Sequence, residues 1–169
     1  EGYVAMIFDH RGFGESDGPP GRLIPLEQIA DIRNALTFLQ MQPEVETNNI
    51  GLCGTSFGGG NAAYAAAIDQ RVKCTAVIVS TGCGEKWFRG LRRTWEWLAF
   101  LREVEEDRHT RVATGVSRMV DRFHIYVPDP KTLSRAKQTM AKDPNFCTSM
   151  PPETAQAVME FHPEEVVNR

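Results

Sequence analysis

The sequence predicts an α/β fold with a mostly parallel sheet, and three observations carry that expectation. Tyr3 to Phe8 is an unbroken apolar run, the pattern of a strand buried on both faces. Segments with helical periodicity alternate with further short apolar runs, in the order strand, helix, strand, helix, strand. Glycine-rich stretches follow the first two apolar runs, where a strand has to turn sharply into a loop or helix.

After Phe8 the polar stretch Asp9 to Gly21 reads as a loop. From Pro25 onward Leu26, Ile29, Ile32 or Arg33, Leu36 and Leu39 recur at helical spacing, with Glu27 and Asp31 early in the helix, where its dipole favours acids. Pro43 closes that helix and Asn48-Asn49 turns the chain. Ile50 to Cys53 is the second strand, Asn61 to Ile68 an Ala-rich helix whose small side chains permit close approach to a sheet, and Val72 to Ser80 the third strand. The segment that follows carries all three tryptophans, Trp87, Trp95 and Trp97, among many arginines and glutamates. It predicts a helical excursion over residues 85–140, with Phe88, Leu91, Trp95 and Leu98 on one helical face. Two readings of that face stay open: packing on the sheet, or a cap whose aromatics line an acyl pocket. A last short helix is expected from Met150–Pro152 through Met159. The expected division is therefore a core over 1–84, a cap over 85–140 and a return toward the core over 141–169.

Composition excludes several classes. The chain has 169 residues, 41% hydrophobic and 24% charged, as an ordinary globular domain does. Its net charge of −3 lacks the basic balance of a nucleic-acid binder. Its apolar runs are too short to span a bilayer. Cys53, Cys74, Cys83 and Cys147 have no CxxC spacing and read as separate buried or partly buried thiols in a reducing compartment. The chain opens on Glu1 and enters an apolar run at once, so it reads as a piece of a longer protein.

The segment that carries chemistry is Gly54-Thr55-Ser56-Phe57-Gly58, a G-x-S-x-G pentapeptide between a predicted strand and a predicted helix. Such a turn is sharp enough that side chains in place of its glycines are expected to collide with neighbouring backbone. It forces the serine into strained dihedrals that lift its hydroxyl above the sheet. Ser56 is the expected nucleophile. The amide of Phe57, at the start of the helix, is the expected oxyanion donor.

With this pentapeptide and the loop Phe8-Asp9-His10-Arg11-Gly12-Phe13-Gly14-Glu15-Ser16, similar to a D-x-R-G-x-G-x-S signature, the chain resembles the α/β-hydrolase family from Tyr3 to about Gly84. Within it, FDHRGFGES, GTSFGGG and the tail Phe161-His162-Pro163-Glu164 are similar to the fungal polyketide transferase group, hydrolases of host-selective toxin clusters. The resemblance implies an incomplete α/β-hydrolase fold with a helical cap. It implies acyl hydrolysis or transfer on an ester or thioester, with no metal or organic cofactor. The implied partner is a small acyl substrate, such as a carrier-bound polyketide, and the implied location is inside the cell, in cytoplasm or peroxisome. A non-catalytic binding protein of the same fold stays open. Haloalkane dehalogenases and epoxide hydrolases, which carry aspartate at this turn, do not fit Ser56.

The family order requires an acid and then a histidine after later strands. Asp107, Asp121, Asp129, Asp143, His109, His124 and His162 lie downstream, but none follows a suitable strand and turn. The acid, the base and the second oxyanion amide are expected outside this chain, and the 169 residues alone are expected to be nearly inactive. Asp9 is expected to anchor the signature loop with Arg11 as partner, and His10 to pack within it. Cys53 is expected to face the core, and His109 and His124 to be exposed. Pro163 biases His162 toward extended backbone, away from a catalytic role.

Overall fold

A computed structural model describes residues 2–167. The chain divides into two compact units, the first comprising residues 2–8, 25–84 and 161–167, the second 9–24 and 85–160.

The first unit is built on a parallel strand pair. Helix α1 (Pro25–Gln40) leads to β1 (Ile50–Thr55), helix α2 (Phe57–Ile68) crosses over, and β2 (Val72–Ile78) pairs with β1 from Gly51 opposite Cys74 to Thr55 opposite Ile78. The expected spacing on α1 holds at its centre, where Ile29, Ile32 and Leu36 join Ile50, Ala65 and Phe161 in one buried cluster. Leu26 is exposed. Inside the same layer Asn61 of α2 donates to Gln28 Oε1 of α1 at 2.8 Å, a buried amide pair that fixes the two helices in register. At the foot of α2 the buried Asp69 accepts from Arg71 and Arg33, with Nη2 of Arg71 at 2.7 Å. The Arg71 hydrogen bonds hold the Asp69 carboxyl well below the usual carboxylate range, against the opposing effect of burial.

Two expectations fail in this unit. Tyr3 to Phe8 forms no strand, and Ile7 is 96% exposed. A strand exists only through its ladder, and among the described residues the pairings are β1 with β2 and one short antiparallel pair in the second unit. Cys53 does not face the core but is exposed, as is Cys74. Helices α1 and α2 bury the face of β1 that carries Leu52, and Cys53 alternates onto the other face.

The second unit is mostly helical: α3 (Gly84–Gly90), whose first residue belongs to the first unit, α4 (Thr94–Thr114), α5 (Arg122–Ile125), α6 (Pro130–Met140) and α7 (Pro152–Met159), followed by α8 (Pro163–Val167) back in the first unit. The bridge β3 (Val120–Asp121) pairs antiparallel with β4 (Ser149–Met150). The predicted stripe Phe88, Leu91, Trp95 and Leu98 does not form, because the helix breaks between Gly90 and Thr94 and restarts after Arg93, whose N–H donates to Glu96 Oε2 at 2.7 Å. The break changes the phase. Phe88 is fully buried, whereas on α4 the buried apolar positions are Trp97, Phe100 and Val104, and Trp95 and Leu98 are 63% and 53% exposed. Arg92, in the break, donates to the carbonyls of His124 and Ile125 and lies 3.7 Å over the Phe100 ring. Arg22 joins the signature loop to α7 through Glu153 at 2.9 Å. Among the described residues no helix is long and apolar enough to cross a membrane.

Candidate nucleophile elbow

Ser56 stands between the end of β1 and the first residue of α2, with φ 56° and ψ −124°. Strain of this kind in a non-glycine residue persists only where the surroundings impose it. Here the Ser56 N–H donates to Ile78 C=O at 2.9 Å, extending the ladder by one bond, while its own carbonyl accepts from Gly59 at 3.0 Å in the first turn of α2. The residue is thus held by strand on one side and helix on the other, and it is exposed. Val79, just past the end of β2, also has a positive φ of 52°. The two strained non-glycine residues therefore sit at the same carboxyl end of a parallel pair, where open α/β sheets place their ligands.

The expectation for the flanking glycines divides. A Cβ on Gly54 would stand 2.1 Å from the Gly58 carbonyl oxygen, so glycine is obligatory there. A Cβ on Gly58 would meet nothing within 4 Å, so that position is not required by steric exclusion. Gly60 of α2, too, lies where a side chain would strike backbone, the Thr81 carbonyl just past β2. Phe57 heads α2, where the dipole is positive, and its ring packs 5.7 Å from Phe161.

In the signature loop the Asp9 carboxylate accepts the Glu15 N–H at 3.1 Å, and Ser16 donates to the Asp9 carbonyl at 2.7 Å. Gly14, at φ 55°, leaves no room for a side chain beside that carboxylate. His109 and His124 are exposed and sit at 3.1 Å from Glu105 and 2.6 Å from Glu103. Asp107, which sequence offered as an acid, is buried and accepts from the Ser117 hydroxyl and the Arg118 N–H. Asp121 and Asp129 accept backbone N–H groups at the starts of α5 and α6, and Asp143 accepts from the Asn145 N–H. His162 meets Cys83, its Nδ1 3.3 Å from Sγ, a contact that no local sequence signal announces because 79 residues separate the two. Among the described residues no three His, Cys, Asp or Glu side chains are placed to hold a metal ion.

Residues 1–162 match the family described as Serine aminopeptidase, S33. The chain belongs to this α/β-hydrolase family. An uncharacterised 31.7 kDa protein of Escherichia coli, from the traX-finO intergenic region, is 31% identical over 164 residues, which are 97% of this chain and 57% of the relative. The chain spans little more than half the length of such relatives. Over shorter stretches it is 42% identical to a thiohydrolase of Aspergillus aculeatus (73 residues, 43% of this chain and 23% of the relative) and 40% identical to a polyketide transferase of Penicillium crustosum (83 residues, 48% and 26%). The α/β hydrolase GrgF of a Penicillium species superposes with a TM-score of 0.69 at 22% identity, covering 94% of this chain and 55% of that one. For this S33-family chain, the expected α/β-hydrolase fold and its likeness to the fungal polyketide group both hold.

Proposed function

We propose that Ser56 is the nucleophile of an acyl hydrolase or acyltransferase, acting on an ester or thioester of polyketide type. The observation that carries this reading is the strained, exposed Ser56 between a parallel strand and a helix N-terminus. The family match and the thiohydrolase and polyketide transferase among the relatives support the reaction class. In the proposed reaction the Ser56 Oγ bonds to the acyl carbon, the Phe57 N–H donates a hydrogen bond to the developing oxyanion, and the bond to the leaving thiolate or alkoxide breaks. The serine proton passes to a base and from there to the leaving group. Water then releases the acid, or an alcohol the new ester. None of His109, His124 and His162 follows a strand and turn of the kind the family order requires, and the base is assigned to a residue outside these 169.

Residues 85–140 are proposed as the cap. Trp95 and Leu98, large apolar side chains left exposed on α4, are the surface it offers to an acyl chain. The test is turnover of acyl thioesters of graded chain length by the full-length protein. Medium-chain substrates are expected to be preferred, Ser56→Ala to abolish turnover and Trp95→Ala to weaken the preference. Full turnover by Ser56→Ala contradicts the reading, and a preference for acetyl that Trp95→Ala leaves unchanged removes the acyl surface from it. A full-length protein that binds acyl compounds without turnover is a binding protein instead.

A further inference from the structure

We propose that Cys83 is a second nucleophilic centre, a thiol that His162 deprotonates and that takes an oxygen atom from small hydroperoxides. The Cys83 Sγ lies 3.3 Å from His162 Nδ1, within reach of direct proton transfer. Glu165 Oε1 stands 3.7 Å from the same ring nitrogen. Two backbone bonds brace the pair from either side. The Gly84 N–H donates to the Phe161 carbonyl at 2.9 Å, and the Glu164 N–H donates to the Gly82 carbonyl at 3.0 Å. The loop after β2 and the start of α8 are thus fastened together immediately before and after both side chains, so their apposition is built into the backbone. Glu164 also faces this loop, its carboxylate 3.2 Å from where a Gly82 Cβ would stand, and Glu85 follows two residues along the chain.

The other cysteines lack this arrangement. Cys53 and Cys74 are exposed on the sheet. Cys147 donates to the Ser149 carbonyl, and burial pushes its thiol up, toward the protonated and unreactive form. Cys83 itself is only 7% exposed, so the reagent has to be small, and the partly exposed His162 ring is the side from which it enters.

The step balances without any further reactant. Nδ1 takes the thiol proton, and the thiolate attacks one peroxide oxygen. The S–O bond forms as the O–O bond breaks, and the departing hydroxide or alkoxide takes the proton from the imidazolium and leaves as water or alcohol. Sulfur loses two electrons, the peroxide gains them, and His162 returns to its starting state. The oxidised sulfur then sits beside the segment whose Phe161 ring packs on Phe57 of the elbow.

The experiment is exposure of the full-length protein to limiting hydrogen peroxide at about pH 6.5, where ordinary thiols are about 1% thiolate. Dimedone traps the sulfenic acid and peptide mass spectrometry locates it. Cys83 is expected to be trapped about tenfold faster than the exposed Cys53 and Cys74, with the advantage lost in His162→Gln and reduced in Glu165→Gln. Because His162→Gln sits at the start of α8 and can disturb it, the wild-type ratio and the exposed Glu165 variant each judge the proposal independently. Trapping of Cys83 no faster than Cys53 and Cys74 in the wild type overturns it. So does an advantage that survives both substitutions in folded protein.

Discussion

Gly54 and Gly58 flank the same serine, yet only one of them is held to glycine by its surroundings. Gly54→Ala puts a methyl group 2.1 Å from a carbonyl oxygen, which the turn can accommodate only by moving backbone. It is expected to destabilise the full-length protein by about 1–3 kcal/mol, as overpacking does, and to displace Ser56. Gly58→Ala adds its methyl group to open space within a helix and is expected to hold stability or raise it by about 0.5–1 kcal/mol. Denaturant midpoints of the two variants check this contrast, and equal losses would mean that the turn is not the rigid element described. The pentapeptide was legible in the sequence because its chemistry is local: strand, turn and helix are all specified within ten residues. The Cys83–His162 contact was not, since tertiary folding alone brings those residues together.

The helices after Gly84 show how a local break defeats periodic reasoning. Phe88 and Trp95 share a helical face only if the helix runs through Leu91 to Arg93, and there it stops. Phe88→Ala, removing a fully buried ring that packs edge-on against Phe100, is expected to cost about 3–5 kcal/mol. Trp95→Ala is expected to change stability by less than about 0.5 kcal/mol. Chemical denaturation of both variants decides, and a large loss at Trp95 would show that its exposed ring is a packing residue in the full-length protein. Tyr3 to Phe8 failed for a different reason. Its composition is that of a strand, but pairing is a property of two segments, and an apolar run does not specify its neighbour.

For the molecule as a whole, the α/β class and the order of helix and strand from α1 through β2 were readable because each of those elements carries its own period. The division into units was not, because residues 9–24 join a partner segment some 60 residues further on. At this scale acid stability has an identifiable contributor. Asp69 ties α1, α2 and the start of β2 together through Arg33 and Arg71, and its carboxyl titrates far lower folded than unfolded. A depressed folded value adds stability that is fully present above the unfolded value of about 4 and is lost as pH falls below it. Unfolding midpoints of the full-length protein followed downward from about pH 5 are therefore expected to fall less steeply in Asp69→Asn than in wild type, and parallel curves would contradict the assignment.

Activation of the proposed nucleophile Ser56 is read out by a fluorophosphonate, which forms a stable bond only with a serine whose hydroxyl is being deprotonated. Treatment of the full-length protein followed by peptide mass spectrometry should place a single phosphonyl adduct on the peptide containing Ser56, and Ser56→Ala should abolish it. No adduct on the folded wild-type protein, or the same adduct yield from Ser56→Ala, would show that Ser56 is not an activated nucleophile.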